Sequence, residues 1–306
     1  MPRLLNAGKR IVFFSLLTIL FTGILVGLST SLPMYYSIRT HIEQVNLANA
    51  RAQADAIDND FERYHALAAQ FTSRTEIRKR LEAYHAQQLS LAELQAYSQP
   101  RLAEPARHIA DLKAMVRVAA DGQVVAAVGE LAEQVRTLDF SEVAQKVISL
   151  SEPPVDLIRV TAAISNSATE QVGVDILYFD AQTLAPLLSD FSTYAGDAKL
   201  NLISQDAELS LGYVAERQQV VRQELAPELS RALAGHEYRQ AAMLDVQGEQ
   251  LTKLLYLPLG ETASGLLIQI PEAIFYQAAY QDLLWACLAI LVMLVFVGAL
   301  WGAIVF

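Results

Sequence analysis

Two uncharged apolar runs, one at each end of the chain, constrain this sequence more than any motif within it. Ile11 to Leu32 (IVFFSLLTILFTGILVGLSTSL) is 22 residues long without one charge. As a helix it covers ~33 Å, enough for a hydrocarbon core of roughly 30 Å. Leu283 to Phe306 (LLWACLAILVMLVFVGALWGAIVF) gives a second run of 24 residues. Tyr35 and Tyr36 follow the first run, and Tyr276, Tyr280 and Trp285 mark the start of the second. Amphipathic rings at both outer edges fit interfacial belts. A cleaved signal peptide is the rival for the first run, but its apolar core is normally about 7–15 residues.

Charge orients the pair. Arg3, Lys9 and Arg10 precede the first run, and no acid appears before Glu43. The positive-inside tendency then keeps residues 1–10 in the cytoplasm, with transmembrane helices over 11–32 and 283–306. Residues 33–282 become an extracytoplasmic domain of a multi-pass inner-membrane protein. That segment holds all 33 acids of the chain against 20 of its 23 Lys and Arg, a net −13. Such acidity argues against a nucleic-acid partner and keeps the domain off anionic headgroups. One cysteine, Cys287, excludes an intrachain disulfide framework. The chain ends at Phe306 while still apolar, which reads as a fragment with a cytoplasmic part beyond it.

Periodicity then organises the loop. No Pro or Gly occurs from Ile38 to Phe71, and Ile57, Phe61, Tyr64, Ala68 and Phe71 recur at helical spacing. A stalk helix over 33–72 is expected, its seam packing on its own domain or on a twin in a dimer. Ser73-Arg74-Thr75-Glu76 and Ser90-Leu91-Ala92-Glu93 are capping-box patterns that start two further helices, the second closed by Pro100. Residues 115–120 and 123–128 flank Asp121-Gly122, a hairpin signal in which both central residues take positive φ. A short helix over 141–150 ends at Pro153-Pro154. A second hairpin joins 157–164 to 171–179. The order then repeats. A strand pair over 199–203 and 208–213 precedes a helix from Pro227 to Ala234. Strands over 237–244, 250–257 and 265–270 follow it. Leu184, Leu187, Leu188 and Phe191 suggest a connecting helix between the copies.

The segments FTSRTEIRKRLEAY (71–84), VRVAADGQVVAAVGE (116–130) and LIRVTAAISNSATEQVGVDILYFD (157–180), in this order between two spans, resemble the double Cache (PDC-type) sensor region of bacterial receptors. The resemblance covers nearly the whole chain. It implies an α+β fold with a long N-terminal helix and two tandem PAS-like antiparallel-sheet modules. The membrane-distal module would span 73–181 and the membrane-proximal one 182–282. It also implies a homodimer, a small-molecule ligand in the distal module, and a histidine-kinase, diguanylate-cyclase or chemoreceptor output. The family's amino-acid-binding subgroup carries an Arg-x-Trp-Tyr cluster, whereas residues 33–282 contain no tryptophan.

Catalytic constellations are scarce. His41, His65, His85, His108 and His236 have no zincin spacing, and the chain lacks G-x-S-x-G, a P-loop and G-x-G-x-x-G. No catalytic residue, metal or cofactor is implied. For the ligand, alternation places Arg159 and Thr161 on one face of their strand. The partner strand carries Tyr178 on one face and Asp175 on the other, and Arg117 lies in the first hairpin. Arg117, Arg159, Asp175 and Tyr178 are therefore the candidate binding residues, with arginines suited to an anionic ligand. An Arg–Asp cross-strand pair on the solvated face is the structural alternative for any of them. Three functions follow for the chain: a sensor region, a two-span structural protein such as a polysaccharide chain-length regulator, or an anchored enzyme that the missing motifs disfavour.

Overall fold

Helix α1 runs unbroken from Pro2 to Thr72 in a computed structural model. The structure describes residues 2–136, 148–150, 157–189, 198–204, 210–234, 240–248, 250–260, 262 and 264–305. The first apolar run and the stalk are thus one helix, with Pro33 inside it. The ring at 33 removes one amide donor, a loss that helices in apolar surroundings tolerate when nearby hydroxyls engage the ladder. Ser29 and Thr30 donate to the Val26 carbonyl at 2.9 Å, in the turn before the Ser29 carbonyl that Pro33 leaves without its usual donor. The expected seam is formed: Ile57, Phe61, Tyr64, Ala68 and Phe71 are all buried, joined by Ala50 and Ala54.

The chain divides into two compact units, Asn49–Pro271 and Met1–Ala48 with Glu272–Phe306. Two sheets lie in the first unit. Helix α2 (Thr75–His85) and helix α3 (Leu91–Ala106) precede the first sheet, which is labelled distal, and the second proximal, only after the places expected for their modules. Only the second capping box forms, with Ser90 and Glu93 exchanging bonds. Ser73 instead turns its hydroxyl back to the Gln70 carbonyl, and Arg74 occupies the N-cap position of α2. Pro100 does not stop α3. The helix continues because its next turn buries Leu102 and Ala106. Gln95 and Gln99 of α3 donate to the Val124 and Ala127 carbonyls at 2.9 and 2.7 Å, which satisfies a sheet edge.

Strands β1 (Leu112–Ala119) and β2 (Val124–Val128) form the first hairpin. Its turn differs from the expectation. Positive φ occurs at Gly122 but not at Asp121, and the Gly122 N–H donates to the Ala119 carbonyl. A three-residue loop with a left-handed glycine forms, and the Asp121 carboxylate accepts from the Gln123 N–H. A one-turn helix α4 (Ala132–Val135) follows. Most of the helix expected over 141–150 lies outside the described residues, but its end is strand β3 (Ile148–Leu150), paired with β4 (Leu157–Ser165). Strand β5 (Gln171–Asp180) completes the sheet in the order β2-β1-β5-β4-β3. A 3-10 turn, Ala181–Leu184, then leads into helix over 185–189.

The proximal sheet repeats this plan. Strands β6 (Lys199–Ser204), β7 (Ser210–Val214) and β8 (Gln219–Arg222) precede helix α5 (Pro227–Ala234). Strands β9 (Ala242–Gln247), β10 (Leu251–Pro258) and β11 (Ser264–Pro271) follow. The order β8-β7-β6-β11-β10-β9 equals the distal order with β8 added at one edge. Leu229 and Leu233 of α5 pack on Ile203, Leu254, Tyr256 and Leu267.

In the other unit, a turn of helix α6 (Glu272–Phe275) leads into helix α7 (Gln277–Val305). The start of α1 and α7 are both long and apolar enough to cross a membrane. Gly23 and Gly27 of α1 face Met293 and Ile290 of α7, small residues that admit a close approach between helices. Beyond the apolar runs, the Arg39 guanidinium lies 4.3 Å from the centre of the Tyr276 ring. Glu43 and Glu272 flank it at 3.7 and 3.8 Å, and the buried Tyr276 hydroxyl bonds to Glu43.

Asp58, on α1, faces the β10–β11 turn and accepts from the Gly260 backbone N–H. Burial pushes its carboxyl up to about 6 against that bond, with Asp55 and Glu62 adding to the rise. A carboxyl raised above its unfolded value makes the folded state bind more protons. Stability therefore falls as pH rises from about 4 to about 6 and then levels off. Asp58→Asn keeps an acceptor for Gly260 without the charge. It is expected to remove this part of the pH dependence and to stabilise the chain above pH 6 by on the order of 1 kcal/mol, after allowing for solvent screening. Urea unfolding of both forms at pH 4.5 and 7.5 checks the difference; an equal gap at the two pH values would contradict it.

Candidate functional site

Each residue of the distal sheet is committed to one face by alternation, and the cross-strand register aligns those faces. On the first face, Ala114, Val116 and Val118 of β1 stand opposite Tyr178, Ile176 and Val174 of β5. Tyr178, Ile176 and Val174 pair in turn with Arg159, Thr161 and Ala163 of β4. Val135 of α4 packs against this face, with Leu131 and Ala132 beside it. On the second face, Arg117 stands opposite Asp175, and Asp175 opposite Ala162.

The four residues expected to bind one ligand are therefore divided. Arg159 and Tyr178 are cross-strand neighbours on the first face. Arg117 and Asp175 are partners on the second, and residues on opposite faces of a sheet do not share a small molecule. Both side chains of the second pair are fully buried. The Arg117 Nε and Nη2 atoms donate to the two Asp175 carboxylate oxygens at 2.6 and 2.5 Å. Nη2 also reaches the Phe71 carbonyl at 3.4 Å, in the last turn of α1. Carbonyls there lack intrahelical donors, and α1 has no basic residue of its own in that turn. Arg117 caps the helix from outside, while burial raises the Asp175 carboxyl and Arg117 opposes the rise. This arrangement is the cross-strand alternative, carried into the interior.

The first face has a different chemistry. Arg159 is half-buried, directly across from Tyr178 on one side and Ser149 on the other. Thr161 is 7% exposed, and its hydroxyl has no hydrogen-bond partner among the described residues. A buried hydroxyl left unpaired costs on the order of 1–3 kcal/mol, so such groups normally meet water or a ligand. Around these groups Ala114, Val116, Val118, Ile176 and Leu157 make an apolar wall. A cation, a phenol and an unpaired hydroxyl on apolar strands are the kinds of group that orient a bound small molecule. Alternation along β4 alone placed Thr161 beside Arg159, but its unpaired state required the packed structure. Among the described residues no group of three His, Cys, Asp or Glu side chains is arranged to hold a metal.

No family model and no curated protein matches the sequence. Solved structures do match the fold. The extracellular domain of histidine kinase mmHK1S-Z3 aligns with a TM-score of 0.54 at 12% identity, over 78% of this chain and 98% of that one. The ligand-binding domain of Mlp24 with asparagine gives 0.52 at 15%, over 79% and 99%. The ligand-binding domain of the Pseudomonas fluorescens chemoreceptor CtaA with L-isoleucine gives 0.52 at 13%, over 80% and 98%. The fold of this chain is that of the extracellular sensory domains of histidine kinases and chemoreceptors, the double Cache-like arrangement of two sheets behind a long helix.

Proposed function

We propose that the chain is the ligand-sensing and membrane-crossing region of a bacterial receptor. In this reading residues 1–10 are cytoplasmic, and 11–32 and 283–306 span the inner membrane. Residues 33–72 form the stalk, with 73–181 the distal and 182–282 the proximal module outside. The observation that carries the reading is the first face of the distal sheet, where Arg159 stands across from Tyr178 and the unpaired Thr161 hydroxyl lies two residues along the same strand among apolar side chains. The ligand is a small molecule whose anionic group is held by Arg159. The amino acids in the Mlp24 and CtaA structures carry such a group, a carboxylate. Arg117 and Asp175 hold the module together rather than the ligand. A homodimer would bring two copies of α1 side by side, and a histidine-kinase or diguanylate-cyclase output would read their rearrangement. A ligand shifts such an equilibrium only by its differential affinity for the two arrangements.

Thermal-shift screening of the chain in detergent micelles against amino acids and small organic acids tests this reading. At least one compound should raise the midpoint. Arg159→Ala should weaken that compound by about tenfold or more, the scale of a lost charge-assisted bond. A hit indifferent to Arg159→Ala, or no hit in the panel, would remove the assigned site.

A further inference from the structure

The proximal module contains a cleft at the position corresponding to the distal ligand face. Strand β11 takes the place in its sheet that β5 takes in the distal one, and α5 covers the face that α4 covers there. Gln269 stands two residues before the end of β11, as Tyr178 stands two before the end of β5. Tyr178 has a cation across from it, Arg159 on β4. Gln269 also has one, Lys199, but on the opposite neighbour, β6. The same face of both modules thus sets one cation beside a hydrogen-bonding side chain near the end of the last strand.

Here the position opens into a cleft of about 780 Å3 between α5 and the ends of β6, β9, β10 and β11. That volume is within the range of small-molecule sites. Leu229 and Val246 give it an apolar side, continuous with the module core. Lys199, Gln250, Thr252 and Gln269 line the polar side. Glu228 and Arg231 at the α5 wall are 3.7 Å apart and offset each other's charge. Lys199 forms no ion pair among the described residues, so among them the lining carries one positive charge without a partner. Amides and a hydroxyl both donate and accept, which matches a molecule bearing several hydroxyls.

We infer that this cleft is a second ligand site, for a small polyhydroxylated carboxylate of sugar-acid type. Lys199 takes the carboxylate, while Gln250, Thr252 and Gln269 take the hydroxyls. This site does not depend on the distal reading. Calorimetric titration of the detergent-solubilised chain with glucuronate and gluconate tests it, with glucose as the uncharged control. Binding of at least one acid is expected, with glucose at least tenfold weaker. Lys199→Gln and Gln269→Leu should each weaken the acid by about tenfold while Arg159→Ala leaves it unchanged. Lys199 is exposed at a strand start, so its variant should fold as the parent does. Absence of binding by both acids, equal binding of glucose, or loss on Arg159→Ala without loss on Lys199→Gln would overturn the assignment.

Discussion

Arg117→Ala is expected to destabilise the chain by about 3–5 kcal/mol, because it leaves the buried Asp175 carboxylate without its bonded counter-charge. Asp175→Ala should cost a similar amount for the mirrored reason. The Arg117 guanidinium would keep only the 3.4 Å bond to the Phe71 carbonyl, with Nη1 already unpartnered among the described residues. The double variant Arg117→Met/Asp175→Leu should behave otherwise. It removes both charges together and fills their space with apolar atoms, an exchange that is often neutral or stabilising. What it loses is the cap on Phe71, roughly 1 kcal/mol. Urea unfolding followed by far-ultraviolet circular dichroism should therefore rank the double variant well above either single one. The same variant separates the two roles weighed for these residues. If it folds and the compound that depends on Arg159 still binds, Arg117 and Asp175 are structural. If it folds and binding is lost, the division of the four residues between two faces is the wrong description of the site.

That division shows where reading the sequence stops. Alternation within one strand is local, and it correctly placed Arg159 with Thr161 and set Tyr178 apart from Asp175. Which strands become neighbours is not local. Arg117 and Asp175 are 58 residues apart, and β1 pairs with β5 across the whole module. No spacing in the sequence encodes that register. Elements with a strong local cause were legible: the buried seam of α1, the Ser90–Glu93 box, and the start of α5 at Pro227. Elements decided by packing were not. Pro100 is a stop signal overridden by the burial of Leu102. Strand β8 is four residues at a sheet edge, too short for a period to show. The Asp121-Gly122 turn was found, but its type follows from the loop length the flanking strands require.

Tyr64→Ala should approach the Arg117 variants in cost, about 3–5 kcal/mol, for a reason that concerns transmission as much as stability. Tyr64 is fully buried in the α1 seam. Its ring stacks on Phe179 of β5 with centres 4.0 Å apart and planes 16° from parallel. Its hydroxyl lies 2.7 Å from the Thr183 hydroxyl, which itself donates to the Asp180 carbonyl at the end of β5. One side chain thus ties the long helix both to the second face of β5 and to the turn leaving it. Phe179 is adjacent in sequence to Tyr178, which is on the first face. A displacement of β5 by a ligand at the proposed site would reach α1 through Phe179 and Tyr64 without any loop between them. Truncation to alanine removes the stack and leaves a cavity, whereas Tyr64→Phe removes only the hydroxyl contact and should cost about 1 kcal/mol. If β5 carries the signal this way, Tyr64→Phe should keep the affinity of the Arg159-dependent compound. It should also keep the ligand-induced change in hydrogen exchange along residues 57–71 of α1. In Tyr64→Ala the compound should still bind, with that change in exchange lost. An unchanged exchange response in Tyr64→Ala would mean that the ligand face and the helix communicate by another route.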